Sequence, residues 1–222
     1  MLELIMVIVV LGILAALALP RMDRDIRQEA ADNILSAIRY TQHMALIDDV
    51  QMRKTGSTFG GSNAFRNRWH RSFWRIGFQG CSDDGIFYQI GSDTDRKGNL
   101  ETGEEALDPT SGLRMNGVNG QPCEGQIQNN FSPEVFITRK YGISDGNIAF
   151  AGGCSNVAQH IAFDNMGRPH TAITNSTTPD YSTVLQEDCR LTFTFDDASF
   201  APFTIVIEKE TGYSFIVGQP NS

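Results

Sequence analysis

The stretch from Leu4 to Leu19, LIMVIVVLGILAALAL, carries no charged or strongly polar side chain, and it restricts what the chain can fold into more than any other feature. As a helix rising about 1.5 Å per residue it is about 24 Å long. With Met1 and Leu2 it approaches the roughly 20 residues that cross the hydrocarbon core of a bilayer. One acid, Glu3, stands almost at its start. On insertion scales a carboxylate in hydrocarbon costs about 2.5 to 3.5 kcal/mol, less near a helix end, so Glu3 requires a partner or a task. A cleavable signal peptide is the plainest alternative, and Ala16-Leu17-Ala18 offers it a cleavage site. Against it, no Lys or Arg precedes the run, an acid occupies the place of the basic region, and Pro20 follows at once.

Beyond Pro20 the apolar positions become periodic. Met22, Ile26, Ala30, Ile34, Ala37, Ile38, Thr41 and Ala45 recur at steps of three or four, with Asp23, Arg24, Arg27, Glu29, Asp32 and Arg39 between them. This is the pattern of an amphipathic helix whose apolar stripe needs a cover. The expected organisation is a helix over 1–52, with 1–20 as transmembrane segment or filament core and 21–52 amphipathic, then a β-rich globular domain over 53–222. The helix would be a rod of about 50 residues, on the order of 75 Å long, kinked at Pro20.

MLELIMVIVVLGILAALALP followed by an amphipathic helix resembles the N-terminus of type IV pilins and type II secretion pseudopilins. In that family a prepilin peptidase removes a short basic leader and the new N-terminal residue is methylated. The family has two further residues before the stretch matching Met1-Leu2-Glu3, so the processed N-terminus is expected upstream of Met1. The resemblance implies that the apolar helix holds the subunit in the bacterial inner membrane and later forms the core of an extracellular filament of identical subunits. It also implies that Glu3 is the family's glutamate, which pairs with the N-terminal amine of a neighbouring subunit. Glu3 and Pro20 are the expected assembly residues. Within the family, a minor pseudopilin of a secretion or DNA-uptake machine is the alternative. From another class, the alternative is a monomeric, membrane-anchored, calcium-binding ectodomain.

The remainder is read on its own. Short alternating or β-branched runs at 73–78, 86–91, 134–139, 147–151, 160–164, 170–174, 190–195, 203–208 and 213–217 read as strands. Turns such as Asp164-Asn165-Met166-Gly167 and Glu210-Thr211-Gly212 join them, and GSTFGGSN at 56–63 reads as a flexible connector. Strands joined so tightly are antiparallel. The expected fold is α+β, with a long N-terminal α-helix and an antiparallel β-sheet packed on its C-terminal half, as in pilins.

The four cysteines, Cys81, Cys123, Cys154 and Cys189, lie beyond the apolar segment and none forms a CxxC pair, which favours two disulfides in an exported domain. Three pairings are possible, and the sequence-local one is preferred: Cys81 with Cys123, Cys154 with Cys189. The first would enclose an insertion at 81–123 containing GSDTDRKGNLETGEE, whose Asp93, Asp95, Gly98, Leu100, Glu101 and Glu104 fall on positions 1, 3, 6, 8, 9 and 12 of a calcium loop. The expected cofactor is calcium, held by Asp93, Asp95, Glu101, Glu104 and the carbonyl of Asn99, with Glu105 and Asp108 in reserve. Lys97 departs from the pattern at position 5, where an oxygen is required. A solvated acidic turn is the competing reading.

The net charge of −8 repels nucleic acid and anionic lipid, so the arginines interleaved with tryptophans in RNRWHRSFWR, 66–75, are expected to stack and pair within the fold rather than to bind nucleic acid. His43, His70, His160 and His170 have no metal-ligand spacing. No GxSxG, P-loop, HExxH or dinucleotide fingerprint occurs, so no enzyme is expected. TNSTTPDYST, 174–183, reads as a polar loop.

Overall fold

The computed structural model describes residues 2–48, 67–126, 130–154, 159–174 and 176–219, without the side chains of 2–5 and 13–25. The backbone from Leu2 to Ile47 is helical, α1, and Pro20 does not end it. In the described part of α1 only residues from Ile26 onward pack against the rest. Ala30, Ala31, Ile34 and Ile38 are fully buried, one helical stripe, while Glu29, Asp32 and Ser36 on the other side are exposed.

Among the described residues, eight strands form two antiparallel sheets. The first has the order β2-β1-β4-β5, from β1 (Trp74–Gly80), β2 (Ile86–Gly91), β4 (His160–Phe163) and β5 (Pro169–His170). The second has the order β3-β6-β7-β8, from β3 (Ile148–Gly152), β6 (Cys189–Phe193), β7 (Phe203–Ile207) and β8 (Ser214–Ile216). α1 lies against β1, β2 and β4 of the first and β7 and β8 of the second. The sheets meet through aromatic edges, Phe78 of β1 with Phe150 of β3 and Phe193 of β6, ring centroids 6.2 and 5.7 Å apart.

The expected fold is thereby corrected. The helix that packs is a short one, 26–47, and it meets two antiparallel sheets rather than one; the class is α+β, with no long N-terminal helix packed on a sheet. One cause is the break between β2 and β3, where 92–147 leaves the first sheet and returns to found the second. Polar side chains of α1 fix its docking by reaching backbone carbonyls of the turns beneath. Arg39 donates to Ser214 O, at 2.6 Å from its terminal nitrogen, and Gln42 donates to Gly167 O and Thr211 O at 2.9 and 2.7 Å. Gly212 makes that approach possible: its φ is +69°, and a Cβ there would lie 2.3 Å from Gly167 O.

One expected strand is absent and another is reduced to a single residue. EVFITR lies across a 3-10 turn, Pro133–Val135, and a short helix, α2 (Ile137–Tyr141). The Ser132 side chain accepts from Glu134 N, Pro133 stands at the first helical position, and Gly142 ends α2 in the left-handed region at φ 69°. These capping signals outweigh the β-propensity of Val135, Phe136 and Ile137. HTAIT contributes only His170, in the two-residue β5, because Thr171 N turns to Thr183 O. The connector at 56–63 lies outside the described residues. Disulfides join Cys81 to Cys123 and Cys154 to Cys189, with Cα–Cα distances of 5.5 and 5.1 Å.

Candidate functional site

The Cys81–Cys123 disulfide closes the segment that carries the acidic loop, and the end of β2 delivers that loop's first ligand candidate. Asp93 is fully buried, and its oxygens accept from Lys97 N and Gly98 N at 3.2 and 2.5 Å. Asp95 Oδ1 accepts from the same Lys97 N at 3.1 Å. Glu104 returns from ten residues on: its Oε1 accepts from Thr94 N, Thr94 Oγ1 and Asp95 N, and its Oε2 from Glu101 N. Asp93, Asp95 and Glu104 thus bring one carboxylate oxygen each to within 4.8 Å of one another. The backbone turns sharply enough because Gly98 adopts φ 113°.

Glu101 is not in this group. Its carboxylate faces Lys97 Nζ at 3.3 Å, and Asn99 is exposed. The two reserve acids serve elsewhere: Glu105 accepts from Asn116 and Gly103 N, and Asp108 from Ser111, Ser132 and Thr110 N. Two cations are built in. Lys97 Nζ sits 2.6 Å from Asp95 Oδ2, and the buried Arg75 donates to Gly98 O at 3.3 Å from beneath. The hydrogen bond from Lys97 holds the Asp95 carboxyl below its ordinary range. Burial pushes Asp93 up to about 6, with Asp95 and Glu104 adding to the shift.

Three gathered carboxylates, one of them reluctant to ionise, fit a divalent cation for three of the about 6 to 8 oxygens that calcium takes. Lys97 competes for the same point as a tethered monovalent cation. Sequence reading marked Lys97 as a departure but missed Arg75, which lies 18 positions before Asp93 and reaches the loop only because β1 and β2 are neighbours.

In the described part of the arginine-aromatic stretch, 67–75, Arg71 and Arg75 reach the backbone of this loop. Arg71 and Arg75 are buried; Arg71 donates to Arg96 O and Ser176 O, and Trp74 Nε1 donates to Asp48 Oδ2 at 3.1 Å. Trp69 packs edge-on to Phe73 and Tyr181.

At the far end of the chain Met6, Val7, Ile8, Val9, Val10 and Leu11 are exposed by 52 to 64% each. Six successive residues turn through more than one and a half turns of helix, so every side of it is apolar and uncovered. Glu3 and Pro20 lie within α1, and their side chains are outside the described residues. Among the described residues no helix is long and apolar enough to cross a membrane. No family model, curated protein or solved structure matches the chain.

Proposed function

We propose that the chain is a structural subunit of an extracellular, pilus-like filament, and that it polymerises with identical copies through its apolar N-terminal stretch. The observation that carries this reading is the full-circumference exposure of Met6 to Leu11, in the same helix, α1, whose segment from Ile26 onward is seated on the domain. An apolar helix with no polar face needs cover on all sides, which one globular domain does not supply. Lipid covers it in the inner membrane before assembly, and the same stretch of neighbouring copies covers it afterwards. In such a core a lone carboxylate is costly, so Glu3 pairs with the N-terminal ammonium of a neighbour and marks one axial register among otherwise interchangeable apolar helices. The resemblance to type IV pilins supports the same reading.

Calcium belongs to this proposal as the stabiliser of the acidic loop, bound by Asp93, Asp95 and Glu104 with Lys97 swung out. Chelation should then raise the protease sensitivity of residues 92–108 and lower the thermal midpoint; no change in either would leave an acidic turn closed by Lys97.

The test of the main reading is electron microscopy of material sheared from cells, with the subunit identified by mass spectrometry. Abundant filaments of this chain are expected. Low copy number at the tip of a filament built from another protein would point to a minor pseudopilin. Retention of the whole pool as monomer in the membrane fraction would replace assembly with simple anchoring.

A further inference from the structure

Asn116-Gly117 and Asn119-Gly120 stand close together in the insertion that the Cys81–Cys123 disulfide closes, and the chain has no other Asn-Gly pair. Asparagine before glycine carries a latent reaction. The backbone nitrogen of the glycine follows the asparagine directly, and with no Cβ beside it that nitrogen can close a five-membered ring on the side-chain amide carbon. By sequence the two pairs are equivalent. The fold separates them.

Asn116 is held at both ends of its amide. Its Nδ2 donates to Glu105 Oε1 at 3.1 Å, and its Oδ1 accepts from Gly117 N at 2.8 Å. The backbone on either side is fixed as well. Met115 N donates to Ala106 O and Met115 O accepts from Ile90 N, both at 2.9 Å. Gly117 is buried so tightly on Phe87 that a Cβ would lie 3.0 Å from the ring. Ring closure at Asn116 has to turn the amide away from both of its partners, and two hydrogen bonds of ordinary strength are together worth about tenfold or more.

Asn119 sits at the exposed tip of the turn 118–121. The base of that turn is pinned: Gln126 Nε2 donates to Val118 O and Gln121 O at 2.9 and 3.2 Å, and Ser82 N donates to Gln121 O at 3.1 Å. The tip is not. Among the described residues Gly120 N donates to no acceptor, and the space where a Cβ of Gly120 would stand is open. The Asn119 amide makes one exposed contact, from Nδ2 to Gln79 Oε1 at 3.2 Å, which water can replace.

We infer that Asn119 is a site of spontaneous modification, converted with age to aspartate and isoaspartate while Asn116 is protected. Gly120 N loses its proton to hydroxide and bonds to Asn119 Cγ; the Cγ–Nδ2 bond breaks, and Nδ2 takes a proton from water and leaves as ammonia. Water then opens the cyclic imide at one of its two carbonyls. One opening gives aspartate, and the other gives isoaspartate, whose main chain runs through the former side chain. In sum, asparagine and water become an acid and ammonia. Each conversion places a negative charge opposite Gln79, and isoaspartate also lengthens the backbone of the tip by one methylene.

The test is peptide-mapping mass spectrometry of the full-length protein in a non-ionic detergent, disulfides intact, incubated at mildly alkaline pH. Fragment ions assign the mass gain of deamidation to Asn116 or Asn119. The same chain unfolded in guanidinium chloride calibrates the two intrinsic rates. Folding should raise the ratio of the Asn119 rate to the Asn116 rate by at least about tenfold. Asn119→Gln should remove the deamidation signal at 119 and leave the melting temperature unchanged, because the side chain makes only the exposed contact with Gln79. A smaller rise in the ratio would overturn the inference. So would an Asn119 that stays unconverted in the folded protein over the time in which the unfolded chain converts it.

Discussion

The two ends of α1 are both rich in apolar residues, yet they behave oppositely. From Met6 to Leu11 every described side chain is more than half exposed, whereas Ala30, Ala31, Ile34 and Ile38 are fully buried. The difference is in arrangement. In the second region polar residues confine the apolar ones to a stripe, which one domain can cover, and Arg39 and Gln42 hold that stripe in place by donating to carbonyls beneath. In the first region there is no stripe, so no docking on a single domain can hide it. One end is finished by intramolecular packing, and the other requires an external cover.

This contrast predicts unequal responses to substitution. The largest effect belongs to the buried stripe: Ile34→Ala should cost about 3 kcal/mol and visibly lower the thermal midpoint, measured by circular dichroism. A loss below about 1 kcal/mol would mean that α1 is only loosely seated.

The next effect comes from the turn under Gln42. Burial opposes the charge of Asp164, but hydrogen bonds involving His170, the Arg168 guanidinium and the backbone N–H groups of Arg168 and Met166 prevail and hold its carboxyl at about 2. Since this lies below the unfolded value, the stabilisation is complete above about pH 4 and is lost as pH falls toward 2, up to about 2 kcal/mol. Denaturant unfolding between pH 5 and pH 2, at about half-unit steps, should show this slope in the wild type and lack much of it in Asp164→Asn. Identical slopes would remove Asp164 from the anchoring of α1.

Gln42→Ala should cost about 1 to 2 kcal/mol, because the carbonyls of Gly167 and Thr211 lose a shared donor. The smallest effect is at the other end. Val9→Ala should change the domain's unfolding free energy by less than about 0.5 kcal/mol, since Val9 is exposed and packs against nothing described. A larger loss would mean that this stretch already has an internal partner.

Much of this was legible beforehand where one local rule acts alone. The periodicity of Ile26 to Ala45 announces the buried stripe, alternation marks β6 and β7, and both disulfides follow the sequence-local pairing. Reading failed where local rules compete or where a distant residue decides. At 134–139 the cap of Ser132 and Pro133 overrides β-branched residues, and the 56-residue excursion between Gly91 and Ile148 splits one expected sheet into two. In the acidic loop the spacing of Asp93, Asp95 and Glu104 is visible in the chain, while the place of Arg75 beneath it depends on strand pairing.

The central claim, that copies of this chain cover one another's Met6 to Leu11 stretch, is tested most directly by cysteine cross-linking. All four native cysteines are already in disulfides, so Val9→Cys introduces a single thiol. Oxidation of assembled material should convert it into a disulfide-linked dimer, while the same substitution at Asp32, on the exposed polar side of α1, should stay monomeric. A Val9→Cys protein that remains monomeric, with its thiol fully open to a membrane-permeant maleimide, would contradict the claim and leave lipid as the only cover.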